Sequence, residues 1–238
     1  MNKYAIIIPV INEGERIQKE LRELKKFSKI VDIAIVDGGS TDNSVNDNFL
    51  KKMGVVKKIT SPLGQSIQYQ HGFNWALKKG YRGIITIDGN NKDDVSVLPN
   101  YIKALDDGFD YVQGSRFIKG GKHVNTPQER IFFNRFIISP LLSLTAGYWY
   151  TDTPNAFRAY SRKYLEHPKV KPFRKIFKRY ELLFYLTVRA NRLSLKTKEI
   201  PVTRKYPKDH VPTKIVGWKK LLDMWNIFKI SLGLYDPH

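Results

Sequence analysis

Two oxygen-bearing side chains, Asp88 and Asn90, stand one residue apart directly after the apolar residues 84–87. An apolar run of this length that turns abruptly polar predicts a buried strand ending at Asp88. Carboxylate and amide oxygens are hard donors of the kind that Mg²⁺ and Mn²⁺ prefer, and such ions often bridge to substrate phosphates. The spacing also fits an ordinary Asp-Gly turn at Gly89, so a metal site needs support from other residues.

A second polar group follows another predicted strand. Asp37 comes directly after residues 33–36 and precedes Gly38 and Gly39. Glycines permit a tight turn that brings the backbone close to a ligand, and a carboxylate there can accept hydrogen bonds from a ribose or a base. A capped strand–helix turn is the simpler alternative. The glycine patterns of dinucleotide-binding and triphosphate-binding loops do not occur, so we favour a different kind of nucleotide contact.

The elements that must position these residues alternate along the first half of the chain. Helical spacing at residues 15–27 separates the first two of five apolar runs, which lie at residues 5–9, 33–36, 55–59, 84–87 and 111–113. This alternation predicts an α/β fold with a mostly parallel, Rossmann-like sheet flanked by helices. Ligands of such sheets bind outside the carboxyl ends of the strands, which is where the polar groups stand.

The charge of the chain favours an anionic partner. Its 238 residues contain 41 Lys and Arg against 22 Asp and Glu, which gives a net charge of +19. Such a field attracts nucleotides, nucleic acids or anionic lipids, although a solvated basic surface is the alternative. We expect no nucleic acid partner, because the sequence has no helix-turn-helix pattern, zinc ligand set or aromatic RNA-binding signature. The absence of cysteine excludes disulfides and agrees with a cytoplasmic location.

The C-terminal residues predict an amphipathic helix. Packing on the core and lying in a membrane interface explain its apolar face about equally well. Residues 131–150 are apolar and aromatic but make a poor membrane span, because they include Asn134, Arg135 and Pro140. We therefore predict one domain at residues 1–215 and a helix within residues 216–238 that meets an anionic membrane surface. The predicted apolar face consists of Trp218, Leu221, Leu222, Trp225, Phe228 and Leu232.

Taken together, the strand-end motifs resemble the family 2 glycosyltransferases, which have the GT-A fold and use nucleotide-sugars. The motifs are Pro-x-x-Asn-Glu at residues 9–13, Val-Asp-Gly-Gly-Ser-Thr-Asp at residues 36–42 and Asp-x-Asn at residues 88–90. The chain further resembles the polyprenyl-phosphate branch of the family, which includes dolichyl-phosphate mannose synthases. The segments that carry this second resemblance are residues 114–121, 151–165, 199–207 and 213–215, within a similarity that spans roughly residues 4–216.

The resemblance implies a role for each matching residue. Asp37 would contact the nucleoside, while Asp88 and Asn90 would hold Mg²⁺ or Mn²⁺ and the diphosphate. Arg116 would meet the acceptor phosphate or the donor diphosphate. Arg130 and Asn134 would lie near the entry of the lipid phosphate, and Arg204 and Lys214 would lie on a loop that closes over the phosphates. The full set expected to bind these groups is Pro9, Asn12, Glu13, Asp37, Gly38, Gln65, Asp88, Gly89, Asn90, Lys92, Arg116, Arg130, Asn134, Arg204 and Lys214.

The sequence departs from the family pattern at several positions. Gly38 stands where a second acid is common, and Ile11 stands where a tyrosine is common. In the metal motif, Asn90 replaces a carboxylate and Lys92 replaces a glutamine. We expect either that the metal is held more weakly or that Lys92 supplies positive charge to the diphosphate itself.

The predicted reaction moves a sugar from a UDP- or GDP-sugar to a polyprenyl phosphate, undecaprenyl or dolichyl, with inversion, at the inner face of the cytoplasmic membrane. An acceptor phosphate is already an anion and needs cations rather than a general base. The enzymatic alternative is a soluble transferase that extends a glycan, with Asp152 or Glu181 as the base. A catalytically inactive binder of nucleotide-sugars is a further alternative because of Asn90. The sugar, the base, the lipid and the formation of a homo-oligomer are left open.

Overall fold

The computed structural model describes residues 1–207 and 218–237. Its main sheet has seven strands in the order β3-β2-β1-β4-β7-β5-β8, and β6 and β9 form a second, two-stranded sheet. Only β7 runs antiparallel to its neighbours, β4 and β5. The predicted α/β class and mostly parallel sheet are therefore confirmed. The strands are β1 Tyr4–Val10, β2 Asp32–Asp37, β3 Val55–Thr60, β4 Gly83–Thr86, β5 Tyr111–Ser115, β6 Lys122–Val124, β7 Arg158–Ser161, β8 Thr197–Pro201 and β9 Thr203–Lys205.

Helices cover both faces of the main sheet. One face packs against α1 and α4, and the other packs against α3 and α8, so each face has its own apolar core. The predicted apolar spacing in α1 is confirmed, because Ile17, Leu21 and Leu24 are all buried. The helices are α1 Glu15–Leu24, α2 Asp47–Lys52, α3 Gln65–Lys79, α4 Leu98–Asp106, α5 Gln128–Phe133, α6 Ser139–Ala146, α7 Arg162–Leu165, α8 Glu181–Arg192 and α9 Trp218–Ser231, with a π-helical turn at Asn134–Ile138 between α5 and α6.

The register of the central strands brings their polar ends to one edge. Val10 at the end of β1 lies beside Asp37 at the end of β2. On the other side of β1, Ile7 lies beside Thr86, the last residue of β4. Because these strands are parallel, the loops that follow them emerge together. The predicted candidate residues after β1, β2 and β4 are thus neighbours in space.

The small sheet covers the loop that follows β4. β6 and β9 pair in parallel from Lys122–Thr203 to Val124–Lys205. The backbone of β9 is also bonded to the loop after β4, because the Asp94 amide donates to the Thr203 carbonyl at 2.9 Å and the Lys205 amide donates to the Lys92 carbonyl at 2.7 Å. This strand therefore holds its side chains directly over the polar end of β4.

The predicted C-terminal helix is confirmed as α9, but its apolar face does not pack on the core. Ile227 and Ile230 are buried and join the core that lies beneath α6 and α8. The predicted apolar residues from Leu221 to Leu232 are exposed instead, with the described members between 42% and 59% accessible; the side chain of Trp218 lies outside the described part. In residues 1–207 and 218–237, we find no helix that combines the length and the apolar character needed to cross a bilayer.

Polar contacts explain this orientation of α9. Asp223 forms an ion pair with Arg179 at 2.8 Å, and the Asn226 amide donates to Glu181 at 2.9 Å. Asp223 and Asn226 of α9 therefore face the protein together with Ile227 and Ile230. The predicted apolar face is left exposed, whereas the apolar face of an ordinary surface helix packs on the core.

The packing of α3 on the sheet gives a test of the fold. Replacing a glycine inside a helix by alanine normally stabilises the helix by about 1 kcal/mol. At Gly72, however, the added Cβ would lie 2.4 Å from Cγ2 of Ile7 and 3.2 Å from Cγ2 of Val36. Overpacking of this kind costs about 1–3 kcal/mol. We therefore expect Gly72→Ala to lower the free energy of unfolding, as measured by urea denaturation.

A double-mutant cycle separates this clash from other effects. In an Ile7→Ala background the clashing methyl is absent, so Gly72→Ala should stabilise the chain there. If Gly72→Ala has the same effect in both backgrounds, the close contact between α3 and β1 is not the cause.

Candidate active site

Asp88, two residues beyond β4, is held by three side chains. Its Oδ1 accepts a hydrogen bond from Nε2 of Gln65 at 3.1 Å. Its Oδ2 accepts one from Nδ2 of Asn90 at 3.3 Å and one from Nη2 of Arg204 at 3.1 Å. A Cβ added to the next residue, Gly89, would lie 3.2–3.3 Å from three apolar side chains of the core, so this loop packs directly on the core. The predicted grouping of Gln65, Asp88 and Asn90 is present.

Arg204 lies between two carboxylates on the loop after β4. It contacts Asp88 with Nη2 and Asp93 with Nη1. Burial disfavours the charged guanidinium, but the charges of Asp93 and Asp88 outweigh this effect and raise the pKa of Arg204. Burial also raises the pKa of Asp93 to about 6, although Arg204 acts in the opposite direction. Arg204 is thus the cation in contact with Asp88.

Three cations surround the ring of Tyr206. Lys92 lies 4.6 Å, Arg130 lies 5.4 Å and Arg204 lies 5.8 Å from the centre of this ring. Nη1 of Arg130 also donates to the Tyr206 hydroxyl at 3.3 Å. Burial alone would raise the pKa of Tyr206, but the charges of Arg204, Arg116 and Arg130 lower it. The structure therefore brings together Arg130 and Arg204, which are far apart in the sequence, and adds Lys92 to them.

The loops after β1 and β2 form a turn around Asp37. Oδ1 of Asp37 accepts from the amides of Gly39 at 3.2 Å and Ser40 at 2.8 Å. There is little space for a side chain at Gly38, because a Cβ would lie 3.1 Å from Nε2 of Gln68. That buried amide donates to the carbonyls of Val10 and Val36 and so fixes the two strand ends together.

The three predicted residues of the first motif lie at the same edge. Pro9 pairs with Val36 in the register of β1 and β2. Asn12 has a positive φ of 48°, and its Oδ1 accepts from the Thr41 amide at 2.8 Å. Glu13 forms an ion pair with Arg16 at 2.8 Å. Asn12 therefore joins the first loop to the second, which shapes the candidate nucleoside site.

Arg116 and Asp152 form a buried pair. Nε of Arg116 donates to Oδ2 of Asp152 at 2.7 Å, and Nη2 donates to Oδ1 at 2.8 Å. The Arg116 amide and Nδ2 of Asn134 complete four hydrogen bonds to this carboxylate, which is 0% exposed. A carboxylate that is saturated in this way has no free oxygen for a substrate proton, which argues against Asp152 as a general base.

The same contacts correct two further expectations. The guanidinium fork of Arg116 faces Asp152 rather than open space, so Arg116 does not stand ready to clamp a phosphate in this structure. Asn134 is buried, with its Oδ1 accepting from Ser139 at 2.6 Å, and it braces Asp152 rather than lining an entrance. Arg116 holds the loop at residues 151–155 beside the end of β5, and Asn134 ties the same loop to the π-helical turn.

The second candidate base is also engaged. Oε2 of Glu181 accepts from the amides of Lys178 at 3.1 Å and Arg179 at 2.6 Å, and Oε1 accepts from Asn226. Glu181 thus caps the start of α8 and ties it to α9. Lys214, the remaining predicted phosphate ligand, lies outside the described residues.

Three residues of this site escaped the sequence analysis. Tyr206 lies inside the recognised segment 199–207, and Asp93 lies three residues beyond the Asp-x-Asn motif, but their partners are distant in the sequence, so no spacing signals them. Glu20 is buried in α1 and accepts a hydrogen bond from the Asn91 amide at 2.8 Å. Burial, opposed by this bond, raises the pKa of Glu20 well above its ordinary value, with the charges of Asp93 and Asp88 adding to the rise. A charged residue on the buried face of α1 was its only signal in the sequence.

The sequence of this chain matches a known family of proteins. The model for glycosyl transferase family 2 matches residues 5–167, which is more than half of the 238 residues. The chain belongs to this family. The family that the motifs after β1, β2 and β4 predicted is therefore confirmed.

Curated relatives resemble the chain over most of its length. Polyprenol monophosphomannose synthase of Mycolicibacterium smegmatis is 29% identical over 212 residues, which cover 83% of this chain and 76% of the relative. Undecaprenyl-phosphate mannosyltransferase of Micrococcus luteus is 28% identical over 209 residues, which cover 83% and 81%. These names agree with the predicted branch of the family.

Solved structures confirm the GT-A fold. Glucosyl-3-phosphoglycerate synthase of Mycobacterium tuberculosis, crystallised with Mn²⁺ and UDP-glucose, superposes with a TM-score of 0.71 at 15% identity. The superposition covers 96% of this chain and 78% of the synthase. Identity this low supports the fold alone.

The Arg116–Asp152 pair gives a prediction about stability. Asp152→Ala would leave the Arg116 guanidinium buried without its partner, which costs about 3–5 kcal/mol. We expect urea denaturation to show a loss of this size. The matched control is Asp107→Ala, which removes an exposed partner of Lys103 and should cost about 1 kcal/mol or less. A similar small loss for Asp152→Ala would mean that the carboxylate does not hold Arg116 in place.

Proposed function

We propose that this glycosyltransferase moves a sugar from a nucleoside-diphosphate sugar to a polyprenyl phosphate with inversion. The observation that carries the proposal is the cluster of Lys92, Arg130 and Arg204 around Tyr206, together with the engagement of both candidate bases, Asp152 and Glu181. The names of the two bacterial mannosyltransferase relatives support the same acceptor.

The proposed reaction needs no proton transfer. A phosphate oxygen of the acceptor attacks C1 of the sugar, and the bond from C1 to the leaving diphosphate breaks with its electron pair. Negative charge grows on the diphosphate in the transition state, so fixed cations nearby lower the barrier. Lys92 and Arg130 are proposed to serve this purpose, and Arg204 would join them once its contact with Asp88 is released. They would also offset the repulsion between the two approaching anions.

The nucleoside of the donor is proposed to bind at the turn after β2. Asp37 and the backbone amides of this turn lie at the end of the sheet where ligands of such folds bind. Gly39 leaves the backbone of this turn open to close approach by a base or ribose, because a Cβ added there would have no neighbour within 4 Å. Both UDP and GDP suit these groups.

A divalent metal fits the oxygen donors at the end of β4. Oδ1 of Asn90 is buried with no hydrogen-bond partner, as expected of an oxygen that a cation would satisfy. Asp88 and Asn90 would hold Mg²⁺ or Mn²⁺, which would neutralise charge on the diphosphate when bound. The rest of the coordination would come from the diphosphate and water, because the described residues contain no cluster of three or more acidic or histidine side chains suited to a metal.

The exposed apolar face of α9 is proposed to lie in the surface of an anionic membrane. α9 contacts α6, and the neighbouring helical segment also exposes large apolar side chains, including Phe132, Phe136 and Leu144. Together with the charge of +19, this surface suits interfacial binding at the inner face of the cytoplasmic membrane. The proposed acceptor is a lipid, so a docked enzyme would meet it in the bilayer.

Turnover with defined acceptors tests the proposed reaction. Purified protein would be given labelled UDP- and GDP-sugars with undecaprenyl phosphate in detergent, and the transfer of label to the organic phase would be measured. We expect transfer from at least one donor, and a fall of about 100-fold or more in Asp88→Asn, because charge on the leaving group is then poorly compensated. Transfer to a soluble glycan but not to the lipid would favour the glycan-extending alternative, and binding of the donor without any transfer would indicate an inactive binder.

Vesicle sedimentation tests the proposed membrane surface. We expect binding to vesicles with anionic lipid that weakens as salt is raised. The double variant Leu221→Ser/Trp225→Ser should weaken binding at least tenfold, because both side chains are exposed and removing them costs interfacial burial. The matched control is Ile30→Ser/Val56→Ser, which removes two exposed apolar side chains from β3 and the loop before β2. Equal losses in both double variants would rule out a specific role for α9.

A further inference from the structure

The contacts of Asp88 leave little room for a second cation. Gln65 occupies Oδ1, and Asn90 and Arg204 share Oδ2. A divalent metal that bound Asp88 in this state would lie next to the Arg204 guanidinium, and two cations at one carboxylate repel each other. The metal and Arg204 therefore compete for Asp88.

Arg204 is anchored so that it can give up Asp88 without leaving the site. Its Nη1 contacts Asp93, which is buried and accepts nothing at Oδ1. Its backbone lies within β9, whose flanking residues Thr203 and Lys205 are hydrogen-bonded to the loop after β4. Movement of the side chain alone would release Nη2 from Asp88 while the contact with Asp93 persists.

We infer that Arg204 is an internal counter-ion of Asp88 that keeps the metal out until a nucleoside diphosphate binds. The inference rests on the proposed metal site at Asp88 and Asn90. A bound diphosphate supplies negative charge that attracts both the metal and the freed Nη2 of Arg204, so the two cations no longer compete. Metal binding then depends on the nucleotide, and by linkage the metal strengthens nucleotide binding by the same factor.

This inference gives Arg204 a role before the chemical step. The protein in its resting state would hold a balanced pair, Arg204 and Asp88, in place of a metal. The nucleotide would bind before the metal or together with it. Arg204 would then lie against the leaving diphosphate, while Asp93 continues to hold it.

Direct measurement of Mn²⁺ binding tests the inference without relying on activity. Binding would be followed by the electron paramagnetic resonance signal of free Mn²⁺, with and without UDP or GDP. For the unaltered protein we expect weak Mn²⁺ binding that tightens at least tenfold when nucleotide is present. Arg204→Gln should bind Mn²⁺ alone at least tenfold more tightly than the unaltered protein and gain much less from nucleotide.

Two variants control this experiment. Arg130→Gln removes one cation from the same cluster but none that contacts Asp88, so its Mn²⁺ affinity without nucleotide should change less than threefold. Asp88→Asn should abolish the binding and so locate it. Because Arg204→Gln leaves Asp93 buried without its partner, the double variant Arg204→Gln/Asp93→Asn is compared with Asp93→Asn alone, and the same gain is expected.

The outcomes distinguish the inference from the proposed metal site. If the unaltered protein binds Mn²⁺ with the same affinity with and without nucleotide, or if Arg204→Gln and Arg130→Gln gain equally, the counter-ion role is wrong and the metal site stands. If no variant binds Mn²⁺ even with UDP or GDP present, the metal site and the counter-ion role are both wrong.

Discussion

The rest of this site depends on placing one buried guanidinium between two carboxylates. Asp88 and Asp93 lie on the same short loop, and Arg204 reaches them from a strand more than 100 residues away. An unpaired charge buried at this position would cost free energy, so the loop after β4 and the strand β9 must be held next to each other. The backbone bonds between β9 and the loop after β4 meet this requirement. The carboxylates of Asp88 and Asp93 therefore hold Arg204 in position at the candidate site.

A second buried arginine, Arg158, stabilises the loop that carries Asp152 through hydrogen bonds. Arg158 on the antiparallel strand β7 is fully buried, and it donates to the carbonyl of Asn155 at 2.7 Å and the hydroxyl of Thr187 at 3.1 Å. These bonds fix the loop that carries Asp152, which in turn fixes Arg116. β7 lies between β4, which Asp88 follows, and β5, which Arg116 follows, so it separates these two groups of residues in the sheet.

The sequence predicted the local features and missed the pairings. Apolar runs located β1, β2 and β4, because a buried parallel strand is apolar throughout, and the polar residues after these strands lie together as expected. The antiparallel β7 lies at Arg158–Ser161, where a buried arginine and a half-buried serine hide the strand pattern. The engagement of Asp152 by Arg116, and of Asp88 by Arg204, could not be predicted, because contacts between distant residues leave no trace in spacing.

The outward orientation of the predicted apolar face of α9 follows from the polar contacts of Asp223 and Asn226. These contacts also link the surface of the molecule to the site. Arg179 pairs with Asp223 of α9, and its carbonyl accepts from the amide of Ser66 at 2.7 Å. Ser66 follows Gln65, whose amide reaches Asp88. A Cβ on Gly64 would lie 2.4 Å from the carbonyl of Lys178, so the start of α3 packs closely against the segment before α8. If α9 lies in a bilayer as proposed, these contacts hold the end of β4 at a fixed height above it, which is what an enzyme needs when one substrate is dissolved and the other is a lipid.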